Sequence, residues 1–313
     1  MRLAQERPVP DVPARRDPGD GATSAIHVGL LVERRYLSQA QPAGLEAALR
    51  ARGHRVSVLD PQAVSFQLGD DRWLQGLDLL VARGRSWELL CLLTWAETRG
   101  LPTINRRGAI AAVHNKAEMA VALAAGGVPM PRTLLGPARM LGSQVRHPVR
   151  SFPMVLKPMF GDNGQGLRVV RAPSELDRLE WPEPVALAQE LVPGDGYERK
   201  VYGIGDEIWV VRRPALFGNV RGTPSDGEAP RPELVPATLA ERELAVRCRR
   251  LFRLDLYGID CIQTPQGPVV IEVNEFPNYT GVPEAGERLA DHVLARASSV
   301  QERRPRPPEV NGA

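Results

Sequence analysis

The sequence predicts an α/β protein built in several units, and two patterns carry that expectation. From Ile26 to about residue 110 short apolar runs alternate with helical stretches, whereas beyond residue 150 the apolar runs pair into hairpins. A chain of 313 residues, 43% apolar and 25% charged, has the length and the apolar content for two or three packed units.

Residues 1–24 and 300–313 are rich in Pro, Arg and Gly without periodicity and read as flexible tails. The run Ile26–Val32, a helical stretch Pro42–Arg52 closed by Gly53, and the run Val56–Leu59 give β-α-β. A strand over Leu77–Ala82, a helix over Trp87–Arg99 and a short strand Pro102–Asn105 complete an N-terminal unit over 25–110 with a parallel sheet. A middle unit, 111–187, starts with a helix Ala117–Gly126 and an extended segment Val128–Pro131. It continues with a strand Phe152–Pro158, a glycine loop, a strand Leu167–Arg171 and a helix Ser174–Leu179. The last unit, 188–299, takes the end of a strand Val185–Val192 and a hairpin Lys200–Val211 turning at Gly205-Asp206. A polar insertion Gly218–Pro236, a helix Leu239–Phe252 and a hairpin Tyr257–Val273 turning around Pro265–Gly267 follow.

Composition removes several classes of function. No segment approaches the roughly 18 apolar residues of a bilayer crossing, and the N-terminus carries no signal-like apolar stretch, so a cytoplasmic protein without a membrane partner is expected. Three cysteines and five scattered histidines form neither a disulfide framework nor a zinc motif. A net charge of +3 with no basic run argues against nucleic acid as a partner. Lys and Arg total 40, yet the only lysines are Lys116, Lys157 and Lys200. A bias toward Arg explains the missing lysines but not the surviving ones. An ammonium is a compact point charge and a guanidinium a wide fork, so positions packed against phosphates favour Lys, which makes all three site candidates.

Gly161, Gly164 and Gly166 lie between two strands rather than before a helix, which suits a hairpin flap closing over phosphates beside Lys157. In the last hairpin a turn centred on Gln266 sets Ile262 opposite Val270 and Asp260 opposite Glu272, with Asn274 further along the same face. Opposed carboxylates among apolar neighbours repel, and a cation relieves the repulsion; two carboxylates and an amide suit Mg²⁺. A strand-end pair that reaches solvent or is neutralised by arginines is the simpler alternative. Gln189, Glu190, Leu191 and Val192 form a strand end able to act as a hinge for an adenine edge, with Glu198 as a ribose acceptor and Arg212-Arg213 as phosphate ligands.

In this order, Asn115-Lys116, Val128-Pro-Met-Pro-Arg-Thr133, Pro153-Met-Val-Leu-Lys-Pro158 with its glycine loop, Gln189-Glu190-Leu191, Tyr257-Gly-Ile-Asp260 and Ile271-Glu-Val-Asn274 resemble the ATP-grasp superfamily, specifically the RimK-type carboxylate-amine ligases. The resemblance spans about half the chain and implies an ATP-grasp fold behind an N-terminal α/β substrate domain. By resemblance Lys116 and Lys157 bind nucleotide phosphates and Glu190 and Leu191 hold adenine. Glu198 binds ribose, Lys200 is counted with the nucleotide-binding residues, Arg213 stabilises the transferred phosphate, and Asp260, Glu272 and Asn274 hold magnesium. The cofactors implied are ATP and Mg²⁺, with Mn²⁺ as a substitute. The implied partners are a small acidic substrate and an amine acceptor, and a homo-oligomer is compatible with the sequence. Glu198-Arg199-Lys200 replaces the family's usual Asp-x-Arg. The hairpin Lys200–Pro214 and the segment Asn274–Glu284 also resemble the inositol polyphosphate kinases, which makes a kinase acting on a polyol the alternative activity. Arg83, Arg85, Arg106 and Arg221 are the candidate substrate anchors.

Overall fold

The computed structural model describes residues 25–141, 152–161, 164–215 and 231–303 and contains three sheets. The first is parallel, in the order β2-β1-β3-β4: β1 His27–Val32, β2 Arg55–Leu59, β3 Leu79–Arg83 and β4 Thr103–Ile104. β1 and β3 are central and buried along their whole length, as expected of strands covered on both faces. Helices α1 Ala40–Ala51 and α2 Trp87–Thr98 connect them, and α3 Arg107–His114 and α4 Lys116–Ala125 follow. Ser86 caps α2 through Leu89 N–H, and Asn115 caps α4 through the amides of Ala117 and Glu118.

The second sheet is antiparallel, β5-β8-β6-β7, from Thr133–Gly136, Met154–Lys157, Arg168–Val170 and Ala186–Glu190 as β5, β6, β7 and β8. Short helices α5 Ala138–Leu141 and α6 Pro173–Leu176 pack on it. The third sheet, also antiparallel, runs β11-β10-β9-β12-β13: β9 Tyr197–Ile204, β10 Glu207–Pro214, β11 Glu233–Val235, β12 Leu256–Thr264 and β13 Gly267–Glu275. Helix α7 Leu239–Phe252 starts from a capping box between Thr238 and Glu241, and α8 Ala285–Arg303 ends the described chain.

The first and third sheets share one core. Leu30, Leu45 and Leu49 pack with Tyr202, Phe276 and Tyr279, and with Leu289 and Val293 of α8. Asn105 is fully buried between them, accepting from Asp255 and Leu256 N–H and donating to Leu256 O at 2.7 Å. Among the described residues no helix is long and apolar enough to cross a membrane.

Several expectations are corrected. The boundary set at 187/188 cuts β8, all of which pairs within the middle sheet. The tail set at 300–313 overlaps α8, which continues to Arg303. Helices α3, α5 and α8 and strands β5 and β11 were not expected; β11 is a three-residue edge strand at the end of the polar insertion. Ile262 faces Val269, not Val270. Residues 1–24, Asp162 and Asn163 of the glycine loop, residues 216–230 with Arg221, and residues 304–313 lie outside the described residues.

Candidate active site

Partners across antiparallel strands point to the same face, so register alone assembles a polar surface on the third sheet. Arg213 on β10 is opposite Glu198 on β9, Lys200 on β9 is opposite Asp260 on β12, and Asp260 is opposite Glu272 on β13. Asn274 stands two residues beyond Glu272. This face forms one wall of a cleft of about 680 Å³; the middle sheet supplies the opposite wall, and loops of the first sheet line one side. All three lysines of the chain line it.

The tight turn Pro265-Gln266 pairs Cys261 with Val270, and a β-bulge between Asp260 and Cys261 then restores Asp260 to Glu272 by skipping Ile271. A bulge breaks the alternation of the strand. Ile271 and Glu272, consecutive residues, consequently both line the cleft, while Val270 and Val273 on either side are buried.

Each carboxylate of the hairpin has a cationic partner. Asp260 Oδ2 accepts from Lys200 Nζ at 2.8 Å and from Asn274 Nδ2 at 3.1 Å, and Asp260 Oδ1 lies 3.3 Å from Arg213 NH2. Arg213 also donates from Nε and NH2 to Glu198 Oε2 at 3.1 and 3.0 Å. Glu272 Oε1 accepts from Lys116 Nζ, which bonds the Gly161 carbonyl at 3.0 Å as well. Three basic side chains thus compensate the opposed carboxylates within the protein, as in the simpler alternative, but two of the three are lysines. For Arg213, burial works to lower the pKa, but attraction to Asp260 and Glu198 outweighs it and the guanidinium is raised.

Lys157, on β6, is 7% exposed and donates to Gln189 Oε1 on the neighbouring β8 at 2.6 Å. Burial, the dominant influence, pushes its ammonium down to about 8 against the attraction of Glu272, and Lys116 pushes the same way. From there the chain turns into the glycine loop. Gly166 has φ +75°, and a Cβ there would meet Pro158 Cγ at 3.2 Å, so the return of the loop onto the strand requires glycine. Gly161 and Gly164 line the cleft beside Lys116.

Glu190, Leu191 and Val192 lie at the edge of the same cleft. Leu191 N–H donates to Pro153 O at 2.9 Å and Glu190 N–H to Arg132 O at 2.8 Å. Leu191 therefore has no amide to offer an adenine edge, which narrows the hinge expected there. Between this strand end and the bulged hairpin the cleft is apolar, with Val155 on β6 and Ile262 and Ile271 on the third sheet. None of these was singled out from sequence. Val155 shares the parity of Lys157 and Ile262 that of Asp260, which is the signal available for them; Ile271 has none, because the bulge puts it out of phase.

Of the expected substrate anchors, Arg83 and Arg85 are both 6% exposed and line the cleft. Arg106 is exposed, precedes α3 and is outside the lining. Tyr36, Gln39 and Glu275, also in the lining, were missed because their approach depends on contacts distant in sequence.

Comparison with known proteins agrees with this geometry. A family model described as the RimK-like ATP-grasp domain matches residues 113–296, more than half of the chain. The chain is 28% identical over 271 residues to a "Probable alpha-L-glutamate ligase" of Stenotrophomonas maltophilia (strain K279a), covering 80% of this chain and 92% of that protein. It is 27% identical over 254 residues to the "Ribosomal protein bS6--L-glutamate ligase" of Escherichia coli O139:H28, covering 76% and 84%. Among solved structures, a RimK domain ATP-grasp protein from Sphaerobacter thermophilus matches with a TM-score of 0.65 at 21% identity, over 86% of this chain and 99% of that one. The ATP-grasp ligase PsnB, solved with a minimal precursor, Mg and ADP, matches at 0.65 and 19%, over 90% and 100%.

Proposed function

This chain belongs to the RimK-like ATP-grasp family and is an ATP-dependent ligase, and we propose that it activates a carboxylate of a small acidic substrate as an acylphosphate and joins it to an amine. The observation that carries this reading is the meeting of all three lysines, Arg213 and the set Asp260, Glu272 and Asn274 in one cleft. Such a surplus of point charges beside oxygen donors suits a triphosphate with its metal.

In this reading the adenine ring lies against Val155, Ile262 and Ile271, with Gln189, Glu190, Leu191 and Val192 along its edge. Glu198 and Lys200 face the ribose and inner phosphates, and Lys116, Lys157 and the amides of Gly161, Gly164 and Gly166 hold the outer ones. The carboxylates Asp260 and Glu272 and the amide oxygen of Asn274 fit Mg²⁺, with Mn²⁺ as a substitute: all three donors are oxygen and share one face of the sheet. The ion would neutralise phosphate charge when bound. Lys116, Lys200 and Arg213, which contact these carboxylates, are the groups a triphosphate would attract. Phosphates and metal together therefore exchange partners with groups already present.

A substrate carboxylate oxygen then attacks the γ-phosphorus and ADP leaves with the bridging oxygen. The amine attacks the acyl carbon, inorganic phosphate leaves, and the amine nitrogen loses a proton as the amide forms. Arg213 contributes by neutralising the oxygens of the transferred phosphoryl group. Hydroxylamine tests the step: with ATP, Mg²⁺ and a panel of amino acids and short acidic peptides, and no other amine, a hydroxamate is expected. ADP formation without hydroxamate across that panel contradicts an acylphosphate.

A further inference from the structure

The first sheet has the order β2-β1-β3-β4, so β1 and β3 are neighbours whose connections leave in opposite directions. In a parallel sheet the carboxyl ends of two such strands open a crevice, the usual place for a ligand. The segments leaving those ends bring Tyr36 and Gln39 from one side and Arg83 and Arg85 from the other, and all four line the cleft.

The charges there do not balance. Arg85 Nε lies 3.1 Å from Glu275 Oε1, and Glu33, which accepts the N–H groups of Arg85 and Ser86, pairs with Arg35 at 2.8 Å. Among the described residues Arg83 forms no ion pair of its own. Its NH2 donates to Gln39 Oε1 at 2.9 Å, its NH1 to the Phe276 carbonyl, and its guanidinium stands 4.1 Å from the centre of the Tyr36 ring. Its Nε is buried without a hydrogen-bond partner, although the residue is only 6% exposed. Glu275 attracts it electrostatically but forms its ion pair with Arg85. Three arginines thus face two carboxylates among the described residues, and of the two of these arginines that line the cleft, Arg83 is the one whose direct contacts are all neutral. A buried cation held by neutral groups is costly unless an anion joins it.

We propose that the crevice between β1 and β3 is a carboxylate subsite centred on Arg83, which selects substrates carrying a second carboxylate besides the one that is activated. This rests on the ligase reading for the identity of the reacting group, but binding at the subsite is measurable without turnover. A guanidinium fork recognises the planar carboxylate, and Gln39 and Tyr36 hold the fork in place.

The probes are L-glutamate and its two monoamides, L-glutamine and L-isoglutamine, with binding to the full chain measured by calorimetry in the presence of a non-hydrolysable ATP analogue and Mg²⁺. L-glutamate is expected to bind the wild-type chain at least about ten-fold more tightly than one of the monoamides. In Arg83→Gln that preference falls to about one while affinity for the ATP analogue is unchanged; the monoamide affected tells which carboxylate Arg83 holds. Arg83→Lys, which keeps the charge without the fork, retains an intermediate preference and covers the case in which Arg83→Gln does not fold. Equal binding of all three probes to the wild type, or a preference that survives in Arg83→Gln or is complete in Arg83→Lys, overturns the subsite. So does a variant whose only change is a lower melting temperature. Failure of the ligase reading shows separately, as an absence of turnover alongside a normal binding preference.

Discussion

Asp260 and Glu272 face each other across β12 and β13 because a bulge, not the turn, sets their register. The same bulge turns Ile271 toward the cleft beside Glu272. One extra residue thus gives a single strand an apolar surface for a ring and a carboxylate for a charged group, in consecutive positions.

If Glu272 helps hold a divalent ion, Mg²⁺ with ATP raises the melting temperature far more than ATP with a chelator, and Glu272→Gln shrinks the difference. The variant without nucleotide also loses about 1–3 kcal/mol, since the buried Lys116 ammonium loses its carboxylate partner and keeps only the Gly161 carbonyl and a neutral amide. Thermal melts with and without chelator check both, and equal stabilisation with and without Mg²⁺ contradicts the assignment.

Lys157 gives a prediction with a defined sign. Its pKa is about 8 in the fold against 10.5 for an ordinary lysine, so below pH 8 the fold carries a penalty of about 3 kcal/mol for keeping it charged. Between pH 8 and 10.5 the unfolded chain binds the extra proton, and the penalty is relieved as pH rises through that window. Lys157→Met therefore melts no lower than the wild type at pH 7, its advantage shrinks toward pH 10, and it loses ATP affinity and turnover. Near pH 8.5 nucleotide binding to the wild type takes up protons, visible as a buffer-dependent heat that Lys157→Met lacks. Turnover at the wild-type rate in that variant removes Lys157 from the phosphate site.

Ile271→Ala is expected to weaken nucleotide binding by about ten-fold, the loss of an apolar contact of a few methylene groups, while leaving the Mg²⁺ dependence intact. Val270→Ala, one residue away in the core, instead lowers stability by about 1–3 kcal/mol with little change in nucleotide affinity. Binding titrations and melts on the two variants separate the roles, and similar profiles for both contradict the part given to the bulge.

Much of this was legible from residues alone. The run Ile26–Val32 reads as a strand of a parallel sheet because it is apolar apart from His27 and Gly29, and Gly205-Asp206 reads as a hairpin turn, where Gly205 takes a left-handed φ of 57°. Three surviving lysines in an arginine-rich chain pointed to the cleft that all of them line. What stayed hidden depends on partners distant in sequence. Helix α8 carries few strong apolar signals, and its place is given by packing on α1, where Arg52 meets Glu287 and Asp291. The bulge at Asp260 breaks the alternation that a reader of strands relies on, so Ile271 went unmarked. The neutral surroundings of Arg83 come from Gln39 and Phe276, which no local pattern links to it.

The central claim is that ATP cleavage drives condensation rather than phosphorylation, and product stoichiometry tests it most directly. With ATP, Mg²⁺, a dicarboxylic amino acid or short acidic peptide and an amine acceptor, free inorganic phosphate, ADP and product are measured together, and the product mass is determined. The account predicts one phosphate released per product and a mass equal to the two substrates less one water. A product heavier than its acceptor by one phosphoryl group, formed without free phosphate, contradicts it.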